Sequence, residues 1–145
     1  MSDELQSYLS AHMPLAAAMG VTVRMASPRR VELAAPIGPN INDLGTVFGG
    51  SAVAVAILAA WGLLHVRQRT AGGNARLLIQ RSLMSYERPI TARFDAICEL
   101  TDEPSYERFS RILARRGRAR VTLTTVLLQE GARAASFEGD FVALR

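Results

Sequence analysis

Residues 52–66 form an almost unbroken run of apolar and small residues, AVAVAILAAWGLLHV, which constrains the fold more than any other feature of the chain. Its length of 15 residues is below the roughly 20 that a transmembrane helix needs, which favours a core helix over a membrane span. The pattern predicts a helix from about Ser51 to Gln68. Because such a helix is apolar nearly all the way round, we expect the rest of the chain to enclose it on all sides.

Strand patterns account for most of the remaining chain. Apolar and polar residues alternate in segments 21–25 and 31–35, and further strands are predicted at 76–86, 92–100, 118–129 and 133–144. Two short helical segments precede them, one capped by Asp3 and one that starts at Pro14 and ends at Gly20. Residues 104–116 have helical periodicity, and a partial strand that continues toward Val121 is the alternative.

These elements predict an α+β architecture. A sheet with one apolar face can bury a single helix by curling around it, and this is the arrangement that encloses the apolar run with so few strands. The sequence contains no repeat, low-complexity segment or domain boundary. Residues 1–145 are therefore expected to form a single domain.

The positive charge of the chain is concentrated in one segment. All 17 basic residues are arginine, and residues 108–120 hold six of them without an acidic residue. Two or three of these arginines can hold phosphates through charge-assisted hydrogen bonds, and a solvated helix and strand face is the alternative. A nucleic-acid partner is disfavoured, because Tyr106 and Phe109 fall on the apolar face of the segment rather than serving as platforms for bases.

The cysteine and histidine content and the N-terminal segment bear on the cellular compartment and on metal binding. The single cysteine, Cys98, excludes an internal disulfide and favours a reducing compartment. The N-terminal segment is acidic and amphipathic, unlike a signal peptide, so we expect a cytoplasmic protein. His12 and His65 have no second ligand at metal-like spacing, so we predict no metal site and no cofactor.

The loop before the apolar helix, PNINDLGTVFGGS at residues 39–51, carries the candidate chemistry. Gly49 and Gly50 allow close approach to the helix N-terminus, where the first backbone N–H groups lack intrahelical partners and carry the positive end of the helix dipole. Such groups can stabilise the oxyanion that forms when water attacks a carbonyl. A tight turn with Ser51 as an ordinary N-cap is the alternative.

The order of Asn42, Gly45, Gly49 and Gly50 before an apolar helix resembles the acyl-thioester hydrolases of the hotdog-fold superfamily, whose loop runs Asn-x-x-Gly-x-x-His-Gly-Gly. Segments 82–89 and 116–120 resemble later strands of the same superfamily. From residue 14 to residue 144 the chain is most similar to the thioesterase-like domain that follows an acetyltransferase domain in some bacterial proteins.

The resemblance implies a hotdog fold, with a curled antiparallel sheet of about six strands around one long helix, and hydrolysis of a thioester of coenzyme A or acyl-carrier protein. It implies that the N–H of Gly50, together with Ser51, binds the thioester carbonyl oxygen. Asn42 and Asp43 would orient or activate the attacking water. A loop Asn bonded to its own backbone and a solvated Asp are the alternatives.

The resemblance also implies substrate contacts and an assembly. The acyl chain would lie along the helix, a later strand would add polar groups near the helix mouth, and the arginine segment would hold the phosphates of coenzyme A. The residues are Phe48, Gly49, Ile57, Leu58, Trp61, Ser82, Ser85, Tyr86, Arg116 and Arg118. A homodimer, or a dimer of dimers, would pair the open edge of the sheet, and some contacts would then come from the partner chain.

Two departures from the superfamily pattern bear on catalysis. Phe48 stands where the better-known relatives carry His, and Ile57 stands where they carry a catalytic carboxylate in the helix. The loss of this pair disfavours the hotdog dehydratases and hydratases. Because a carbonyl-binding site remains without the usual base, a non-hydrolytic acyl-thioester or lipid-binding hotdog protein is the alternative function.

Overall fold

A computed structural model describes all residues, 1–145. The helices are α1 (Ser2–His12), α2 (Pro14–Ala18), α3 (Gly49–Thr70) and α4 (Glu103–Arg116), and a 3-10 turn spans Gly38–Asn40. The strands are β1 (Thr22–Ala26), β2 (Arg30–Ala35), β3 (Arg76–Tyr86), β4 (Phe94–Glu99), β5 (Arg118–Gln129) and β6 (Ala132–Leu144). They form one antiparallel sheet in the order β1-β2-β4-β5-β6-β3, which curls around α3. This confirms the predicted hotdog-type architecture.

The helix α3 is the core of the fold. By length and composition it could cross a membrane, but more than half of its most apolar 18-residue window is buried inside the protein. Its buried side packs on β-strand residues such as Phe94, Phe137 and Phe141, and the Thr125 hydroxyl donates a hydrogen bond of 3.1 Å to the Ala56 carbonyl oxygen. The apolar run is therefore a core helix.

The sheet does not enclose α3 on all sides, contrary to the expectation from its sequence. One face of the helix stays half-buried, and it consists of Val53, Ala54, Ile57, Leu58 and Trp61. The reason is geometric, because six strands from one chain curl around only part of the helix surface. An apolar stripe that faces solvent is a surface for a ligand or a second chain.

Several helix ends differ from the prediction. The helix α3 begins at Gly49 rather than Ser51, with Phe48 as N-cap, so Ser51 lies in the first turn and does not cap it. Met1, not Asp3, occupies the N-cap of α1. Residues 103–116 are helical throughout, because Asp102 accepts a hydrogen bond from the Ser105 N–H and Gly117 ends the helix with φ 74°. A partial strand before β5 is therefore wrong.

The two edge strands of the sheet, β1 and β3, differ in whether other groups of the chain cover their outer backbone. On β1, side chains of α1 cover the edge: Gln6 Oε1 accepts a hydrogen bond of 2.7 Å from the Val23 N–H, and Ser2 Oγ accepts one of 3.0 Å from the Ala26 N–H. On β3, no group of the chain bonds to the outer backbone edge, and Leu78 and Leu83 are exposed. A long bare edge of this kind is what a partner strand normally covers.

Candidate functional site at the N-terminus of α3

Two asparagine side chains hold the loop before α3. Asn40 is buried, and its Nδ2 donates hydrogen bonds to the carbonyl oxygens of Met19 (2.8 Å) and Pro36 (2.7 Å). Asn42 Oδ1 accepts from the N–H groups of Leu44 (2.9 Å) and Thr46 (3.0 Å), and its Nδ2 donates to Thr46 Oγ1 (2.8 Å). The Asn42 carboxamide is thus used mainly to shape its own loop, and one of its Nδ2–H donors remains without a partner.

The ordered loop fixes where α3 starts. The Phe48 N–H donates to the Asn40 carbonyl oxygen (2.8 Å), and the Val47 N–H donates to the Ile90 carbonyl oxygen (2.8 Å). The first intrahelical bond is made by the Ala52 N–H. The N–H groups of the three residues before it, 49–51, have no acceptor within the chain. Three backbone donors therefore stand at the positive end of a 22-residue helix.

The two glycines are favoured by the space available at the first turn rather than by backbone conformation. Both are helical, and neither has a positive φ. A Cβ on Gly50 would collide with the ring of Phe48, and a Cβ on Gly49 would lie 3.3 Å from the hydroxyl oxygen of Tyr86. Two aromatic rings therefore contact the first turn of α3. A Cβ at residue 50 would force the Phe48 ring to move, and a Cβ at residue 49 would make a close contact with Tyr86.

The strand β3 brings Tyr86 to the helix mouth but turns Ser85 away. Tyr86, the last residue of β3, donates a hydrogen bond of 2.9 Å to the Gly49 carbonyl oxygen. Ser82 lies on the same face of the sheet as Tyr86, four residues earlier along β3. Ser85 is paired with Ser136 and lies on the opposite face. Of the three predicted strand residues, Tyr86 alone contacts the start of α3.

A cavity of about 300 Å³ opens beside Gly49. Its walls come from the loop, the first turn of α3 and the segment after β3, and they include Thr46, Ala52, Tyr86 and Glu87. Glu87 is the only carboxylate among the lining residues, and Arg133 binds it through Nε (3.0 Å) and Nη2 (2.8 Å). Sequence reasoning missed Glu87, although it directly follows Tyr86. Asp43 is exposed and does not line the cavity.

The residues predicted to hold the acyl chain lie elsewhere. Ile57, Leu58 and Trp61 lie along the half-buried face of α3 and do not line this cavity. Ile57 is about 12 Å from Gly49 along the helix axis, at about 1.5 Å per residue. Trp61 stacks on His65, with ring centroids 4.8 Å apart, in an aromatic cluster that also contains Tyr8 of α1. A ligand on this face would lie on an open surface of the chain.

Arg116 and Arg118 are also distant from the helix mouth within one chain. Arg118 pairs with Leu144, and Leu144 pairs with Arg76 at the first residue of β3. Tyr86 is the last residue of the same strand, so roughly 33 Å of strand, at about 3.3 Å per residue, separates the two ends. A single chain therefore does not bring the arginine segment to Gly49.

The buried thiol has no role in this site. Cys98 is fully buried in the core, and burial raises its pKa to about 12. A thiol with that pKa is protonated at neutral pH and is a poor nucleophile.

Comparison with known proteins gives a family and a fold. A family model described as "Putative thioesterase (yiiD_Cterm)" matches residues 2–145. A protein of unknown function from Chlorobaculum tepidum TLS is similar in structure, with TM-score 0.92, 28% identity, and 99% of this chain and 94% of that chain covered. A "putative thioesterase" from Shewanella oneidensis has TM-score 0.84, 21% identity and coverage of 99% and 97%. A mutant of a phenylacetic acid degradation protein from Thermus thermophilus has TM-score 0.67, 24% identity and coverage of 91% and 99%.

Proposed function

The chain belongs to the family described as "Putative thioesterase (yiiD_Cterm)", and from this premise we propose that it hydrolyses thioesters of coenzyme A or acyl-carrier protein at the N-terminus of α3. The observation that carries the proposal is the set of three N–H groups at residues 49–51, which have no acceptor in the chain; the first of these residues, Gly49, lines a cavity of about 300 Å³. The N–H of Gly50, with that of Ser51, binds the thioester carbonyl oxygen and stabilises the oxyanion.

Hydrolysis also needs a base for the attacking water. Glu87 lines the same cavity as Gly49, so its carboxylate takes the proton as the water oxygen bonds to the carbonyl carbon. The carbon–sulfur bond then breaks, and the thiolate leaves with that proton. Arg133 holds the Glu87 carboxylate in place. Asn42 acts through the loop that it shapes, and Asp43 is the alternative base.

The bare edge of β3 supports a homodimer. If β3 pairs antiparallel with β3 of a second copy, the Arg76 end of one strand lies beside the Tyr86 end of the other. This exchange of ends would carry the arginine segment, with Arg116 and Arg118, toward the helix mouth of the partner, where it can hold the phosphates of coenzyme A. The half-buried face of α3 would then be covered by the acyl chain or by the second protomer. A reduced, buried Cys98 fits a cytoplasmic location.

Release of free thiol from acyl-CoAs of several chain lengths tests the proposal. We expect turnover by the wild type, a loss of about 100-fold or more in kcat for Glu87→Gln, and little change for the matched variant Asp43→Asn. Gly50→Ala should also lower kcat, because its Cβ displaces the Phe48 ring. If Asp43→Asn lowered kcat strongly and Glu87→Gln did not, the general base would be Asp43 in the loop rather than Glu87.

A non-hydrolytic binder is the second candidate function. Two residues favour this second candidate. Phe48 and Ile57 stand where the better-known relatives carry the residues that they use for catalysis. Saturable binding of acyl-CoA to the wild type with no thiol release above background would support this candidate and contradict the thioesterase.

A further inference from the structure

The outer face of the sheet carries exposed arginines around an aliphatic centre, at the end where β3 begins. Directly paired residues of neighbouring strands have their side chains on the same face of a sheet. One row across β3, β6 and β5 consists of Leu78, Val142 and Arg120, and the adjacent row consists of Arg76, Leu144 and Arg118. Ala119 and Val121, on either side of Arg120, are buried in the core, so these two rows face away from α3. Leu78 is 57% exposed, and all three arginines are exposed.

The helix α4 extends this surface beyond β5. A groove of about 300 Å³ between the two elements is lined by Arg108 and Ile112 of α4 and by Arg120 of β5. Arg108 and Ile112 are both exposed, although the opposite side of α4, with Tyr106 and Phe109, is buried in the core. The resulting basic face consists of Arg76, Leu78, Arg108, Ile112, Arg118 and Arg120.

The positive charge of the basic face is not neutralised within the chain. None of its four arginines takes part in an ion pair. The groove beside α4 contains one carboxylate, Asp102, which accepts hydrogen bonds from the N–H (3.1 Å) and the hydroxyl group (2.6 Å) of Ser105. Asp140, in the next row of the sheet face, accepts one from the Thr122 hydroxyl group (2.6 Å) and lies 3.7 Å from Arg81. The nearby carboxylates therefore have partners of their own.

The combination of free arginines with exposed aliphatic side chains narrows the class of partner. A second copy that met this face across a two-fold axis would place like charges against each other, which disfavours self-association. RNA binds through stacking on aromatic side chains as well as through charge, and the basic face offers Leu78 and Ile112 instead of an aromatic ring. A membrane surface with anionic phospholipids attracts arginine, and its boundary between head groups and acyl chains accepts aliphatic side chains. This surface matches both parts of the basic face.

We propose that the basic face binds the surface of a membrane that contains anionic phospholipids. Its four arginines contact the lipid phosphates, and Leu78 and Ile112 reach the boundary between head groups and acyl chains. The helix α4 itself stays on the core, because its apolar side is already buried there. The protein therefore binds the membrane peripherally, without inserting a helix. The inference goes beyond the proposed thioesterase and does not depend on it.

Co-sedimentation with lipid vesicles tests the proposal. We expect the wild type to sediment with vesicles of phosphatidylcholine and one-third phosphatidylglycerol, but not with phosphatidylcholine alone, and we expect added salt to weaken binding by screening. Because each basic residue near an anionic surface contributes about fivefold in affinity, Arg108→Gln/Arg120→Gln should bind roughly 20-fold more weakly. The charge-matched control Arg24→Gln/Arg93→Gln, at exposed arginines outside the basic face, should bind nearly as the wild type does. Arg118 is unchanged in both variants, because the proposed function assigns it to the phosphates of coenzyme A.

The aliphatic centre of the basic face provides the second arm. Leu78→Ser should weaken vesicle binding several-fold, whereas Leu15→Ser, at a leucine that is 64% exposed on α2, should leave it unchanged. Equal vesicle binding by these two variants, or by the two arginine double variants, would overturn the proposal, as would a wild type that does not bind anionic vesicles at low salt.

A competition arm with polyuridylic acid distinguishes a membrane from RNA. We expect the vesicles to bind more tightly, and tighter binding of polyuridylic acid would overturn the proposal and make the partner an RNA. None of these measurements uses a thioester. A protein that releases thiol but ignores vesicles would retain the proposed function and lose this inference, and the reverse result would do the opposite.

Discussion

The Tyr86 hydroxyl group donates a hydrogen bond of 2.9 Å to the Gly49 carbonyl oxygen, so the last residue of β3 is joined to the first residue of α3. The contact fixes the end of the sheet against the helix terminus that carries the free N–H groups. It also places the Tyr86 ring in the wall of the cavity beside Gly49. The shape of the candidate site therefore depends on a contact between two elements that follow each other in the chain.

Removal of this hydroxyl group should affect activity more than stability. Tyr86→Phe keeps the ring and loses the hydrogen bond, which at an exposed residue contributes at most about 1 kcal/mol to the free energy of unfolding. We expect a several-fold fall in kcat for thioester release, and a larger fall for Tyr86→Ala. Urea unfolding and thiol release measure the two effects. Tyr8→Phe, at a tyrosine that contacts His12 and His65 through its ring, is the control. Identical behaviour of both Phe variants would contradict the role of the contact.

A charge on the bare edge of β3 should abolish dimer formation. Leu83 is 56% exposed on this strand, and an Asp there would be buried against a partner strand without compensation. We expect sedimentation velocity to give a dimer for the wild type and a monomer for Leu83→Asp. Leu15→Asp changes a leucine that is 64% exposed on α2 and should leave the dimer intact. A monomeric wild type would contradict the pairing of β3.

The stability of the protein should fall in mild acid. Burial, and to a smaller extent the charges of Arg69 and His12, lower the pKa of His65 below its ordinary value of 6.5. The unfolded chain then binds this proton more readily than the folded chain, so the free energy of unfolding falls as the pH drops below about 6.5. Urea unfolding between about pH 7.5 and pH 5.5 measures this slope.

The variant His65→Phe isolates this effect. It removes the titrating group but keeps an aromatic ring beside Trp61 and Tyr8, so the slope should become shallower. His12→Phe, at an exposed histidine, should keep most of the slope. An unchanged slope in His65→Phe would assign the pH dependence to other groups.

The thiol of Cys98 should not react with thiol reagents in the native protein. It is fully buried and its pKa is raised to about 12, so an aromatic disulfide reagent should react with it only after unfolding. Absorbance of the released thiolate should give no fast reaction in buffer and one thiol per chain in denaturant, in line with the single cysteine of the sequence. Rapid native labelling would show that the core around β4 opens.

Patterns within one element were sufficient to predict several features. The strands predicted at 76–86 and 118–129 match β3 and β5. In β5, buried and exposed residues alternate, which is a local property of an extended chain. The apolar run predicted the core helix, but its start was placed at Ser51, two residues after the observed first residue, Gly49. The role of the two loop glycines was not predictable in detail, since the rings that fill the space beside them come from Phe48 and from Tyr86 on another strand.

The sequence alone predicted most of the secondary structure, the central helix and the family, because hydrophobic periodicity and the spacing of loop residues are local properties of the chain. Only the tertiary structure decided that Glu87 lines the cavity at Gly49, that the arginine segment lies at the other end of β3, and that one face of α3 stays open. These features depend on which strand end meets which helix end. The packing of segments that are distant in sequence determines these contacts, so no local sequence pattern predicts them.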